Sequence, residues 1–190
     1  MLRPMATLGL DLSSPYLALG LVHNGVATRW CENVGRDHAA RVTRALDELF
    51  SRAGLTSKDL AGVTVGVGPG SYTGLRVGVA VAKGIARSLN IPLRGESTLL
   101  ALAATALGTA ELGVTVARAV VALDARRGDV YAGVFRLEGG VIVQEGELVK
   151  ASRETLQGRG LPYFENIPPD ASYLARCAAL GANTLTPLYL

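Results

Sequence analysis

The sequence predicts an α/β fold with two lobes, and a weak internal repeat is the first observation behind this prediction. Two segments share one pattern: a strand ending in Leu-Asp, a hairpin strand with a glycine nine residues after the Asp, and a glycine turn before a third apolar strand. The first copy consists of Leu10-Asp11, Gly20-Leu21 and Asn24-Gly25. The second copy consists of Leu123-Asp124, Gly133-Val134 and Gly139-Gly140. A duplicated unit of this kind predicts two related lobes, 1–96 and a shorter 97–190.

The order of elements in the first lobe is the second observation. Apolar alternation, turn residues and helical periodicity predict strands and helices in the following order: strands 6–11, 16–22 and 26–32, helix 37–53, strand 62–65, helix 73–89, strand 91–94 and helix 97–107. This order is typical of the ribonuclease-H-like lobe found in actin, sugar kinases and Hsp70. Glycine and proline become frequent after Lys150, which predicts a loop-rich connection. A last helix at about 171–180 can pack back on the first lobe.

The stretch 66–80 is the most informative, because it passes from a buried strand through a glycine-rich loop into a helix. Pro69 and its flanking glycines end the strand, and Ser71 or Thr73 can cap the helix. A helix N-terminus favours an anion, so Gly70, Ser71 and Thr73 are candidate phosphate contacts. The loop matches neither the P-loop nor the dinucleotide fingerprint, and a plain turn is the alternative interpretation.

The helix that follows carries small residues at every fourth position: Gly74, Gly78, Ala82 and Ala86. Glycine inside a helix costs about 1 kcal/mol relative to alanine, so this stripe calls for a backbone that approaches closely. The protein's own sheet or a helix of another subunit can supply that backbone, and the spacing favours neither.

Composition limits the class of protein. Hydrophobic residues make up 49% of the 190 residues and charged ones 18%, a balance that favours a folded chain with surface hidden against a partner. Net charge is +3 with dispersed cations and 5% aromatics, which argues against a dedicated nucleic-acid surface. Cys31 and Cys177 have neither metal nor disulfide spacing, and no run predicts a signal peptide or membrane span. We therefore expect a cytoplasmic protein.

Three polar residues are candidates for chemistry. Asp11 ends the first strand, where a carboxylate contacts a nucleotide or caps a turn. His38 lies in the first turn of a helix, and such a histidine is more often structural than catalytic. No second histidine lies at metal-ligand spacing, so we predict no metal site. Arg126 can bind a phosphate or a partner's carboxylate, or pair with Asp124 or Asp129.

Several motifs resemble signatures of the TsaB (YeaZ) family. The run 68–78, Gly-Pro-Gly-Ser-Tyr-Thr-Gly-Leu-Arg-Val-Gly, followed by Ala82-Lys83-Gly84, is the specific one. Three further features match the family: the motif Asp124-Ala125-Arg126 followed by Gly-Asp-Val-Tyr at 128–131, the residues 187–190, and His38. The resemblance implies an actin-like ATPase fold. It further implies a non-catalytic partner of TsaD, which acts with TsaE to transfer threonylcarbamoyl to adenosine beside the anticodon of tRNA.

Two departures from related proteins bear on chemistry. Actin-like ATPases carry glycine after the first Asp, whereas Leu12-Ser13-Ser14 follows Asp11 here, which argues against ordinary ATP hydrolysis. The His-x-x-x-His metal pair of TsaD would fall within 95–102, where neither histidine is present. We therefore expect no catalytic residues and no required cofactor, with at most weak ATP or ADP binding.

The resemblance implies that helices 37–53 and 73–89 pack against equivalent helices of TsaD, and that the same surface forms a homodimer when TsaD is absent. The predicted contacts are His38, Val42, Leu46, Leu49, Gly74, Gly78, Val81, Ala82 and Ile85. One alternative is a free-standing actin-like phosphotransferase or ATPase, with Asp11 and the 70–73 loop around ATP and Mg²⁺. The other alternative is a peptidase, but the sequence shows no arrangement of a nucleophile and a base that supports it.

Overall fold

The structure is a computed structural model that describes residues 5–108 and 116–178, together with Gly181 and Asn183. The family motif at residues 187–190 lies outside these described residues. The first half contains β1 (Ala6–Asp11), β2 (Tyr16–His23), β3 (Val26–Asn33), α1 (His38–Ala53), β4 (Leu60–Gly66), α2 (Tyr72–Leu89), β5 (Leu93–Glu96) and α3 (Thr98–Gly108). The second contains β6 (Arg118–Arg126), β7 (Asp129–Glu138), β8 (Val141–Ser152), α4 (Arg153–Gln157), β9 (Tyr163–Glu165) and α5 (Ala171–Cys177).

The described strands form two sheets with one topology. In the first sheet the order is β3-β2-β1-β4-β5, with β1, β2 and β3 antiparallel and β4 and β5 parallel to β1. The second sheet has the order β8-β7-β6-β9, and it repeats this arrangement without a fifth strand among the described residues. The predicted α/β class with a duplicated three-strand meander is confirmed.

The hairpin turns take the conformations that their sequences predict. Asn24 and Gly25 have φ of 51° and 78°, and Gly139 and Gly140 have φ of 57° and 84°. Two-residue turns with both φ values positive match the twist of the flanking strands, which is why Asn-Gly and Gly-Gly occur there. The turns fix the register of both meanders.

One face of the first sheet forms the larger core. Leucines at alternate positions of β1 and β2 point toward α1 and α2 and are almost fully buried: Leu8, Leu10, Leu17, Leu19 and Leu21. On the opposite face, a Cβ built on Gly9 would lie 2.0 Å from the carbonyl oxygen of Ala171, and one on Gly20 would lie 2.2 Å from the amide nitrogen of Ser172. The backbone of α5 therefore lies directly on β1 and β2.

The small-residue stripe of α2 packs inside the chain. A Cβ built on Gly74 would lie 1.9 Å from the carbonyl oxygen of Leu12, and one on Gly78 would meet the side chains of Leu12 and Val65. Ala82 is fully buried in the same core. The protein's own core is therefore the close neighbour of the stripe. The prediction that Gly74, Gly78 and Ala82 touch a partner is wrong for this reason.

The other predicted contacts also face the core. His38, Val42 and Leu49 are buried, and three further side chains are half-buried against the same cluster: Leu46, Val81 and Ile85. The sequence pattern correctly found the apolar faces of α1 and α2, but those faces cover the sheet. A partner that docks on these two helices would meet their exposed sides and the uncovered parts of Leu46, Val81 and Ile85.

Smaller differences concern short elements. β5 begins at Leu93, two residues later than predicted, and α4 and β9 lie in the region expected to be loop. A five-residue helix and a three-residue strand are too short to show a periodicity in sequence. No helix in the described ranges is long and apolar enough to span a membrane.

Candidate functional site

The glycine-rich loop joins three parts of the chain. Ser71 caps α2, since its Oγ accepts a hydrogen bond from the amide of Gly74 at 3.3 Å. The Ser71 amide donates to the carbonyl of Ser13 at 2.6 Å, and the Thr98 amide donates to the carbonyl of Gly68 at 2.8 Å. The loop thus ties the end of β1 to the beginning of α3.

Gly70 shows why this loop needs glycine. Its φ is 154°, and a Cβ built there would lie 2.3 Å from the carbonyl oxygen of Ser13. A side chain would push apart the two loops that the Ser71 amide holds together. The position therefore has a structural reason to be glycine, whether or not a ligand approaches it.

A cavity of about 660 Å³ opens beside this loop, between the two halves of the chain. Its walls are the loops that follow β1, β3, β4 and β9, together with the C-terminal end of β6. Gly70 and Ser71, two of the candidate phosphate contacts, line it. Thr73 is exposed but outside the lining, and Asp11 is behind the wall.

Arg36 and Arg126 bring positive charge to this cavity. Arg126 and its neighbour Arg127 have φ of 66° and 57°, a left-handed conformation that is costly for residues other than glycine. Arg153 binds both sides of the turn that contains them, which holds the strained conformation in place.

Arg153 is the anchor of the β6–β7 turn. It contacts Asp124 Oδ1 at 2.8 Å, Glu165 Oε1 at 2.7 Å and the carbonyl of Gly128 at 3.1 Å. The guanidinium lowers the pKa of Glu165 by hydrogen bonding to its carboxylate. Asp124 thus pairs with Arg153, and Asp129 has its ion pair with Lys150 at 3.9 Å. The alternative in which Arg126 pairs with either carboxylate is not what the structure shows.

Asp11 lies at the end of β1, fully buried, in a triangle with Ser13 and Thr98. Ser13 Oγ is 2.7 Å from Asp11 Oδ1, Thr98 Oγ1 is 2.7 Å from Asp11 Oδ2, and the two hydroxyl oxygens are 2.6 Å apart. Each of these three contacts needs one proton between two oxygens. The hydroxyls supply two, and a protonated Asp11 supplies the third.

Burial and hydrogen bonding act on the pKa of Asp11 in opposite directions. Burial raises the pKa of the Asp11 carboxyl, and the hydrogen bonds from Thr98 and Ser13 offset this only in part. The Ser13 amide also donates to Oδ1, at 2.9 Å. Both carboxyl oxygens are therefore engaged within the chain. The expectation that Asp11 contacts a nucleotide is corrected, because this carboxyl has no exposed surface and faces its own loop.

His38 acts on the same loop from the side of α1. Its Nε2 donates to the carbonyl of Ser14 at 2.9 Å and lies 3.3 Å from the carbonyl of Tyr16. The ring is 5% exposed. This is the structural interpretation of His38. Among the described residues, no group of three or more His, Cys, Asp or Glu side chains could hold a metal ion.

The outer face of α2, formed by Tyr72, Arg76, Ala80, Lys83 and Arg87, is exposed. The Arg76 guanidinium stands 5.4 Å from the centre of the Tyr72 ring, which is 59% exposed. Between this face and the core runs a groove of about 270 Å³ whose floor includes Val67, Leu75 and Val79. Sequence reasoning concentrated on the small-residue stripe and missed this face, although the i, i+4, i+11 spacing of Tyr72, Arg76 and Lys83 was available as a signal.

Two related sheets, a cavity between the halves and a glycine loop at the start of α2 define an actin-like α/β protein. The chain matches a family model over residues 30–179, and that model is described as TsaD: tRNA N6-adenosine threonylcarbamoyltransferase. The match takes in most of the chain, and the chain belongs to this family.

Particular relatives carry the name tRNA threonylcarbamoyladenosine biosynthesis protein TsaB. That of Bacillus subtilis (strain 168) is 33% identical over 141 residues, 74% of this chain and 59% of the relative. That of Escherichia coli (strain K12) is 29% identical over 162 residues, 81% of this chain and 68% of the relative. The chain thus spans 59% of the length of the Bacillus protein in this match.

A solved structure, YeaZ from Pseudomonas aeruginosa, is also similar. Its TM-score is 0.84 at 26% identity, and the match covers 98% of this chain and 100% of that chain. The resemblance to the TsaB (YeaZ) family that the motifs predicted is confirmed, and so is the actin-like fold.

Proposed function

We propose that the chain is a non-catalytic subunit that binds TsaD and supports the transfer of threonylcarbamoyl to adenosine next to the anticodon of tRNA. The names of the TsaB relatives support the pathway. The Asp11 triangle supports the non-catalytic role, because the acid at the end of β1 is occupied by Ser13 and Thr98 and cannot reach a substrate. This is the single observation that carries the proposal.

The exposed sides of α1 and α2 are the proposed docking surface. Both helices cover the same face of the first sheet and contact each other, so their outer sides lie in one layer. Ala39, Thr43 and Asp47 are exposed on α1 and lie at every fourth position, on one side of the helix. Without TsaD, the same surface forms a homodimer. TsaE and tRNA are reached through the complex, in the cytoplasm.

The test is a substitution at the centre of this surface. Ala80→Trp places a large side chain on the exposed side of α2, where it disturbs no core contact but blocks a helix from approaching. Gln144→Trp, at an exposed position of β8, is the matched control. In size-exclusion chromatography with light scattering, the control and the wild type co-elute with TsaD, whereas the Ala80 variant elutes alone. Co-elution of the folded Ala80 variant at wild-type affinity would contradict this surface.

The cavity favours a second, narrower candidate. Arg36, Arg126 and the N-terminus of α2 surround a volume that fits a nucleotide, which supports weak binding of ATP or ADP. A phosphotransferase also needs a carboxylate for Mg²⁺, and Asp11 does not fit that role. Calorimetry of the purified chain with ATP distinguishes the candidates: heat of binding without turnover fits a subunit, and sustained hydrolysis fits an enzyme.

A further inference from the structure

The outer face of α2 has one sign of charge. Arg76, Lys83 and Arg87 are spaced i, i+7 and i+11, which places them within about 40° around the helix. The 18 residues of α2 include no Asp or Glu. None of the ion pairs found among the described residues involves these three cations. A partner that covers this face must supply carboxylates or leave the charges desolvated.

The groove beside these cations is apolar at its floor and charged at its rim. Val67, Leu75 and Val79 form the floor, and Arg76 and Lys83 stand at the edge. This pattern fits one apolar side chain of a partner helix, with carboxylates one turn to either side. A phosphate backbone would gain nothing from the apolar floor, so the geometry favours a protein over RNA.

The neighbouring helix does not balance the charge. α1 carries three arginines and two carboxylates, so the two helices together carry a net charge of +4 with His38 neutral. Of the carboxylates, Glu48 is already bound by Arg41 at 3.1 Å and Arg44 at 3.1 Å. A symmetric pairing of two copies would place one positive surface against another, because a two-fold interface uses the same patch twice.

We propose that the outer face of α2 receives a helix of a different protein that bears carboxylates opposite Arg76, Lys83 and Arg87 and an apolar side chain for the groove. The same charges weaken pairing between two copies of this chain. This inference rests on the proposed function and names the chemistry of the TsaD surface that fits. Charge, rather than the apolar helix faces buried in the core, selects the heterologous partner.

The experiment uses the double variant Lys83→Glu, Arg87→Glu, which brings the net charge of the helix pair to zero. The matched control is Lys58→Glu, Arg159→Glu, two exposed cations away from this face with the same change in total charge. Dissociation constants are measured by analytical ultracentrifugation for the complex with TsaD from the same organism and for self-association, at low and high NaCl.

The two equilibria are expected to change in opposite directions. The α2 double variant binds TsaD about tenfold more weakly or worse, and self-associates more strongly than the wild type at low salt. For the wild type, added NaCl weakens the complex with TsaD and strengthens self-association. The control leaves both constants within about twofold.

Three results would overturn the inference. The first is a double variant that binds TsaD like the wild type, and the second is a common direction of change in both equilibria. The third is loss of tRNA binding by the variant with unchanged TsaD binding, which would assign the face to RNA. Failure of the wild type to bind TsaD at any salt would instead contradict the proposed function, and this inference would fall with it.

Discussion

Asp11 lies at the end of β1, and its carboxyl is closed off inside the chain. Its carboxyl lies at the strand end where an actin-like fold presents an acid, yet the Ser13 and Thr98 hydroxyls close around it at 2.7 Å each. Leu12-Ser13-Ser14 follows Asp11, and Ser13 supplies one of these two hydroxyls. The sequence therefore pointed to the right carboxylate, but Thr98, which closes the triangle, is 87 residues away and could not be paired with it from sequence.

The buried acid predicts a particular pH dependence of stability. In the unfolded chain this carboxyl titrates near its ordinary pKa of about 4, and burial raises the pKa in the folded protein. Between the two values the folded state binds more protons than the unfolded state, so the free energy of unfolding falls as pH rises. His38 is among the groups that lower the pKa of Asp11, and it is present in both the wild type and the variant below.

Asp11→Asn removes this titration while keeping the triangle, because the amide can donate to Thr98 and accept from Ser13. Urea unfolding of both proteins from pH 3 upward gives the difference in free energy, wild type minus variant. We expect a constant difference below about pH 4 and a progressive decrease above it. A difference that rises with pH would show that Asp11 is stabilised as a carboxylate instead.

At the scale of the element, α2 has two faces with separate roles. Its small residues let the helix approach Leu12 and Val65, and its cationic side remains exposed. The position and length of α2 were predictable, since Ser71, the apolar period and Asn90 at the C-terminal end mark them. The neighbour of the stripe was not predictable, because a small residue permits a close approach without specifying which backbone approaches.

Gly74 and Gly78 differ in how much room their neighbours leave for a side chain. A Cβ at Gly78 makes ordinary contacts of 3.5 Å or more, whereas one at Gly74 would lie 1.9 Å from the carbonyl oxygen of Leu12. Gly78→Ala should therefore stabilise the protein by about 0.5–1 kcal/mol through helix propensity. Gly74→Ala should destabilise it by about 1–3 kcal/mol or more through overpacking. Chemical denaturation of the two variants checks both signs, and equal effects would contradict the packing of α2 on the β1 loop.

At the scale of the whole molecule, two sheets of one topology are joined by contacts that cross between the halves. α5 comes from the second half but lies on β1 and β2, and Thr98 at the start of α3 closes the site of Asp11. The internal repeat predicted both meanders because each is fixed by local turns. α4 and β9 depend on Arg153 and on pairing with β6, which are long-range interactions with no local pattern.

In the proposed function, this chain supports the reaction by binding as a whole molecule and not through a catalytic side chain. In that proposal the cationic face of α2 binds TsaD, and the carboxyl of Asp11 is closed off by the hydroxyls of Ser13 and Thr98. The most direct measurement is formation of threonylcarbamoyladenosine in tRNA by purified TsaD, TsaE and the threonylcarbamoyl donor, with this chain, with its Ala80→Trp variant, or with neither. The account predicts product only with the wild-type chain, and none from that chain without TsaD. An undiminished rate without the chain, or product from the chain alone, would contradict it.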